Sequence, residues 1–314
     1  MTEPQRAMME ELVWAHRDAE TLAGDLGLDD DSTSMLQSLG FWPRPVTSPA
    51  TRPGSPYVCQ IGDVRSLHFD WSSIQSGMSL NDPLELQFDY TRMMMGFLVF
   101  NPAPRSIEMI GLGGGSLAKY CYHKVPGANI TVAEIDGDVI ALRDAFLIPP
   151  DGPRFRVLCD DGAHFISRQV GCPDVLLIDG FDRDGQPPQL CSQDFYRTCY
   201  DRMAPSGLLI ANLWGDHEVY SDRIRRAFFG NVIVIETEGG GNRAAIARKD
   251  GNLDLSPSQL EATLATLAPC HDGFLPAIGR RILTQVDRER QAYRNARAGR
   301  LPSMSSSDQY VSRR

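Results

Sequence analysis

A glycine turn and three acidic strand ends carry the chemistry legible in this chain. In SIEMIGLGGGSLAKYCYHKVPGANITVAEID, a buried strand is followed by Gly111, Gly113 and Gly115, a helix, and a second buried strand that ends in Glu134 and Asp136. Without Cβ atoms, the three glycines let the backbone turn sharply and approach a ligand closely. Glu134 stands where it can accept hydrogen bonds from both hydroxyls of a ribose, the pattern of the nucleotide-binding half of a doubly wound sheet. The competing reading makes Glu134 and Asp136 caps of a strand end. In CDDGAHF, Asp161 can accept from an adenine amino group, and the backbone of Gly162 can donate to the ring. Asp160 or Asp161 also reads as a helix N-cap, a role compatible with the first.

The third acidic end is PDVLLIDGFDRDG, where the run Val175 to Ile178 reads as a buried strand with Asp179 at its end and Asp182 on the loop beyond. Two carboxylates over a nucleoside pocket suit an ammonium group and are poor for phosphate. An alkylamine has a pKa of about 10, like lysine, so it arrives charged and cannot attack. A carboxylate pair can anchor that cation and then accept its proton. Solvated loop acids are the alternative, a reading that fits Asp184 better than Asp179.

The elements that position these residues follow from hydrophobic periodicity. Strands are expected at 106–110, 130–135, 154–159, 174–178, 206–212 and 231–236, with helices beginning near Ser116, Asp138, Gly162, Ser192 and Tyr220. This alternation predicts an α/β fold with a parallel sheet covered on both faces. VIVIETEGGGNRAAIARKD reads as a final hairpin that gives the sheet an antiparallel edge. That ending fits the Rossmann-like class I S-adenosylmethionine-dependent methyltransferase fold better than a dehydrogenase fold. Helices are expected at 257–268 and 275–286.

Upstream, 57–71 reads as short strands around Gly62-Asp63, part of a small β-containing domain over 57–100, ahead of a catalytic domain over 101–297. The segment 84–100 is helix-like, its methionines serving as core filler. Residues 4–26 and 32–39 read as helices, and the five prolines of 43–56 mark a linker. The Ser-rich tail over 298–314 is expected to be disordered.

At 314 residues the chain accommodates one large domain or two. Its net charge of −9 argues against a nucleic-acid surface. No apolar run reaches the length of a membrane span. The polar N-terminus does not read as a signal peptide, and seven scattered cysteines without a CxxC suggest reduced thiols in a cytoplasmic protein. No histidine has metal-ligand spacing, so no metal is expected.

Taken in order, IGLGGGS at 110–116, EID at 134–136, DDG at 160–162 and DGFD at 179–182 resemble the core motifs of the spermidine synthase family of polyamine aminopropyltransferases. RSLHFDWSSIQ at 65–75 and DPLELQFDYTR at 82–92 extend the resemblance over about 57–240. It implies a small β domain before a Rossmann-like catalytic domain, usually in a homodimer. It also implies aminopropyl transfer from decarboxylated S-adenosylmethionine to a small diamine or polyamine. On that reading Asp179 is the base and amine anchor, Asp182 a second amine ligand, and Tyr90 a wall of the amine channel. Glu134 holds the ribose, Asp161 the adenine, and Gln75 touches the donor.

Three departures bear on the donor. Gly114 stands where the family has an aspartate that contacts the aminopropyl ammonium. Tyr90, Thr91 and Arg92 replace a Tyr-His-Glu signature, and Arg183 replaces a proline. They leave open an enzyme that uses intact S-adenosylmethionine for methyl transfer, or for aminocarboxypropyl transfer or cyclisation, and also a non-catalytic nucleoside-binding protein. A nicotinamide dehydrogenase is disfavoured by the missing later glycine.

Overall fold

A strand with helices on both faces has no side in water, so parallel strands are written as near-continuous apolar runs. The computed structural model describes residues 44–46, 55–69, 74–168, 171–182, 185–238, 240–271 and 273–298. A four-stranded antiparallel sheet comes first: β1 (Arg44–Pro45), β2 (Tyr57–Ile61), β3 (Val64–His68) and β4 (Ser76–Ser79), paired in that order. The larger sheet holds β5 (Ser106–Ile110), β6 (Asn129–Glu134), β7 (Phe155–Cys159), β8 (Val175–Ile178), β9 (Leu208–Trp214), β10 (Val232–Glu236) and β11 (Asn242–Arg248). Across this sheet the order is β10-β11-β9-β8-β5-β6-β7.

The first five of these strands run parallel, and β11 is antiparallel to both β9 and β10. The chain thus carries the expected antiparallel hairpin at this edge of the sheet, with β11 folded back between β9 and β10 and β10 outermost. Ala244 to Ala247 of β11 are all buried, and the strand pairs along both of its edges.

The α-helices of the described residues are α1 (Asp89–Met94), α2 (Phe97–Phe100), α3 (Ser116–Lys124), α4 (Gly137–Ala141), α5 (Gly162–Ser167), α6 (Gln193–Arg202), α7 (His217–Ala227), α8 (Pro257–Leu267) and α9 (Leu275–Ala298). Side chains of a strand alternate between faces, and the two cores follow that alternation. Val175 and Leu177 of β8 join Met93, Phe97, Tyr120, Leu260 and Ile282 from α1, α2, α3, α8 and α9, together with Val58, Leu67 and Met78 of the small sheet. Leu176 and Ile178 face Phe165, Phe195, Cys199 and Ile224 from α5, α6 and α7. The small sheet therefore shares one core with the larger one.

Several expected elements change length. Helix within 84–100 begins only at Asp89 and breaks at Met95-Gly96. Before it, Nε and Nη2 of Arg92 donate to the carbonyls of Leu86 and Gln87, holding 84–88 out of helical geometry. The last helix runs to Ala298 rather than ending near 286. Arg44 and Pro45, in the stretch expected as linker, pair with Gln60 and Cys59. The helices expected at 4–26 and 32–39 and the tail beyond 298 lie outside the described residues. All seven cysteines are free thiols. Among the described residues no helix is long and apolar enough to cross a membrane.

Candidate active site

The acidic strand ends meet along the C-terminal edge of the parallel sheet, on either side of β5, where the chain order of the strands reverses. Such a switch point opens a crevice for ligands. Gly111, immediately after β5, donates to the carbonyl of Ala133 on β6 (2.9 Å), and Asp179, immediately after β8, donates to the carbonyl of Ile110 (2.9 Å). Asp160, after β7, donates to the carbonyl of Glu134 (2.9 Å). Backbone hydrogen bonds thus set the glycine turn, Glu134, Asp160-Asp161 and Asp179 side by side.

The glycines serve different needs. Gly111 has φ +92°, and a Cβ there would overlap the carbonyl of Asp179, so only glycine lets β5 and β8 end this close together. Gly115, with φ +69°, begins α3 against Ile148. At Gly113 (φ +51°) a Cβ would find nothing nearer than Ser76 Cβ at 3.9 Å. Its open surface leaves room for a ligand. Gly114 has no positive φ, but a Cβ there would come within 2.6 Å of Ser76 Oγ and 3.0 Å of Phe146 Cδ1.

Glu134 is buried and uses both oxygens on the turn: Oε2 accepts from the Leu112 amide (2.8 Å) and Oε1 from the Asp136 amide (2.9 Å). Each carboxylate oxygen can accept a second hydrogen bond, so capacity for ribose hydroxyls remains while the turn is pinned. Asp136 caps α4 by accepting from the Asp138 amide (2.8 Å). Asp161 caps α5 through Oδ1, which accepts from Ala163 and His164 (both 2.9 Å). The cap uses only Oδ1, so it does not exclude the expected adenine contact. Asp160 instead pairs with His164 (2.8 Å) and Arg168.

Asp179, at the end of β8, is held by two side chains. Its Oδ1 accepts from Asn212 Nδ2 on β9 (2.9 Å), and its carboxylate also accepts from the Tyr90 hydroxyl of α1. Burial pushes the carboxyl up to about 6, while the hydrogen bonds from Asn212 and Tyr90 hold it from rising further. It is therefore ionised at neutral pH yet still basic enough to take a proton. The Tyr90 hydroxyl is shifted well upward by burial and by the Asp179 charge, so it remains a donor.

Asp182 lies on the turn beyond, its amide donating to Gly185 O (2.9 Å), and its side chain is exposed. Gln75 precedes β4, its amide donating to Leu67 O (2.9 Å), next to the Ser76 that lies against the glycine turn. Gly162 begins α5 against Ile110. Arg92 donates to the backbone carbonyls of Leu86 and Gln87.

Three residues that motif reading passed over belong here. Asn212, 3% exposed, interrupts the apolar run LLIANLW, and a buried polar residue in such a run is itself a signal. Ser76 Oγ lies 3.5 Å from Ser116 Oγ at the start of α3. Ile135, between Glu134 and Asp136, is 64% exposed and offers an apolar face beside Glu134.

Comparison with known proteins bears on this arrangement. No family model matches the chain. It is 37% identical over 194 residues to a polyamine aminopropyltransferase of Chromobacterium violaceum, covering 60% of this chain and 74% of that one. It is 35% identical over 206 residues to a polyamine aminopropyltransferase of Neisseria meningitidis, covering 63% and 78%. A spermidine synthase solved with the transition-state analogue AdoDATO superposes with a TM-score of 0.54 at 20% identity, over 75% of this chain and 88% of that one. Human methyltransferase-like protein 13, solved with SAH, superposes with a TM-score of 0.52 at 22% identity, over 58% and 91%. The two structures share the fold, a Rossmann-like methyltransferase sheet. The strand ends that carry the acids fall in a stretch held in common with relatives over most of their length, and the chain belongs to the polyamine aminopropyltransferase family.

Proposed function

We propose that this protein transfers an aminopropyl group from decarboxylated S-adenosylmethionine to a diamine or polyamine, with Asp179 as the proton acceptor. The observation that carries this reading is the carboxylate of Asp179 at the end of β8, held by Tyr90 and Asn212 and ionised at neutral pH. In the reaction the amine nitrogen attacks the donor's propyl carbon next to sulfur. The C–S electron pair returns to the sulfonium, which leaves as the neutral thioether of methylthioadenosine. The amine's proton passes to Asp179. The leaving group is already activated, so the enzyme's work is to align the amine and remove its proton.

Glu134 takes the ribose and Asp161 the adenine amino group, against the open face at Gly113; Gly111, Gly115, Asp136 and Gly162 shape that cradle. Tyr90 and Asp182 line the amine side and Gln75 the donor side. The family named for the relatives favours this reading over methyl transfer and over a non-catalytic binding role. A homodimer belongs to the same proposal and is tested by light scattering of the purified chain.

Calorimetry with decarboxylated S-adenosylmethionine, intact S-adenosylmethionine and methylthioadenosine tests the donor. Tighter binding of the decarboxylated donor supports the reading. Exclusive binding of the intact one points to the methyl- or aminocarboxypropyl-transfer alternative.

A further inference from the structure

The carboxylate of Asp179 is the end of a longer ladder. Asn212 Nδ2 donates to Asp179 Oδ1 (2.9 Å), and Asn242 Nδ2 donates to Asn212 Oδ1 (2.9 Å). Strand register explains the second contact. Asn212 pairs with Ala244 across β9 and β11, so Asn242, two residues away on β11, is its diagonal neighbour on the same face. Gln186 Nε2 also donates to the Asn212 backbone carbonyl (3.0 Å), tying the loop that follows Asp182 to this strand.

An ionised carboxylate only accepts hydrogen bonds, so Asn212 must present its NH₂ to Asp179. Its carbonyl oxygen then faces Asn242 and requires a donor, which the Asn242 amide supplies. Without that donor, the buried Asn212 amide can rotate and turn its oxygen toward the carboxylate. Asn242 therefore has a task that does not involve touching a substrate.

We infer that Asn242 is a positioning residue for the reaction: it locks the Asn212 amide in the orientation that donates to Asp179 and so keeps Asp179 the proton acceptor. This rests on the aminopropyl-transfer reading for its activity readout, but not for its physical one. Burial raises the Asp179 carboxyl and hydrogen bonds restrain it, so loss of the lock raises it further. Tyr90 on α1 is the ionisable side chain that bears on Asp179 among the described residues; the contact from β9 is the neutral Asn212.

The test is Asn242→Leu in the full chain, which keeps the branching at Cγ, adds some bulk and removes the donor. The acid limb of kcat/KM against pH should move up by about one unit, with activity recovered above it and the donor's KM little changed. The carboxyl resonance of Asp179, read by NMR of carbon-13-labelled aspartate and assigned by its loss in Asp179→Asn, should titrate higher by the same amount. If Asn242→Leu does not melt cooperatively, Asn242→Ala, which adds no bulk, is read instead. An equal loss of rate at every pH, or an unmoved Asp179 titration, overturns the inference. A parent protein that transfers nothing to any amine would sink the proposed function, while the NMR titration would still decide the role of Asn242.

Discussion

Gly114→Asp restores the aspartate of the family motif, and the structure predicts what stands in its way. The obstacle is space rather than backbone angle, because Gly114 lies outside the left-handed region. A Cβ at 114 would sit 2.6 Å from Ser76 Oγ, 2.9 Å from Ser76 Cβ and 3.0 Å from Phe146 Cδ1. Ser76 is buried on the short β4, paired with Leu67 of β3, so it cannot simply swing away. Overpacking of this kind costs about 1–3 kcal/mol, and each kcal/mol lowers the melting temperature by about 2–4 °C in chains of roughly 150–250 residues. Ser76→Gly removes the two closest atoms, so the double variant should recover at least half of the loss. Urea denaturation of the parent, both single variants and the double variant gives the coupling energy, expected at about 0.5–3 kcal/mol. In the folded double variant the new carboxylate attracts the aminopropyl ammonium and repels the carboxylate of an intact donor. A charge pair about 4 Å apart is worth about 1 kcal/mol in water and about 4 at an effective dielectric of 20. Preference for the decarboxylated donor should thus rise between about fivefold and several hundredfold by calorimetry. Additive stability losses would refute the steric argument, and an unchanged preference in a folded double variant would refute the electrostatic one.

Three further outcomes are expected. Asp179→Asn keeps the shape but not the proton acceptor, so kcat should fall by roughly 10²–10⁴; in the parent, activity should be lost as pH falls through about 6, where Asp179 takes up its proton. Glu134→Gln replaces one acceptor with an amide NH₂ facing the Leu112 or Asp136 amide, costing about 1–3 kcal/mol; both urea stability and methylthioadenosine affinity should drop, and a change in neither contradicts the mapping. Lys119 is buried with its ammonium against Phe146 O and Met78 Sδ (both 2.8 Å), and burial pulls its pKa down to about 8. The cost of burying the charge is fully present below that pH and is relieved as pH rises toward the unfolded value of about 10.4. The parent should therefore gain stability between those limits relative to Lys119→Met, and parallel stability curves for the two proteins would contradict the argument.

The strands of the larger sheet were legible because burial on both faces demands apolar runs, as in Val175 to Ile178. Their acidic ends were legible because a charge after such a run must emerge at the sheet's edge. What sequence reading missed depends on contacts distant in the chain. Ser76 to Ser79, all small residues but one, carry no strand pattern, and β4 forms because β3 presents a free edge to it. The position of β11 follows from its pairing with β9, distant in the chain, which a hairpin signal does not reveal. Gly114 and Ser76 are linked only by the approach of β4 to the turn, and Asn242 meets Asn212 only through strand register. Arg92 reaches its acceptors, the carbonyls of Leu86 and Gln87, only because 84–88 is not helix.

The central claim is that an amine is alkylated at Asp179 by the propyl arm of a sulfonium nucleoside. It is tested most directly by incubating the purified chain with decarboxylated S-adenosylmethionine and putrescine and identifying the products by mass. The account predicts one methylthioadenosine for each spermidine formed, with both lost together in Asp179→Asn. A methylated amine with S-adenosylhomocysteine from the intact donor, or product formation undiminished in Asp179→Asn, would contradict it.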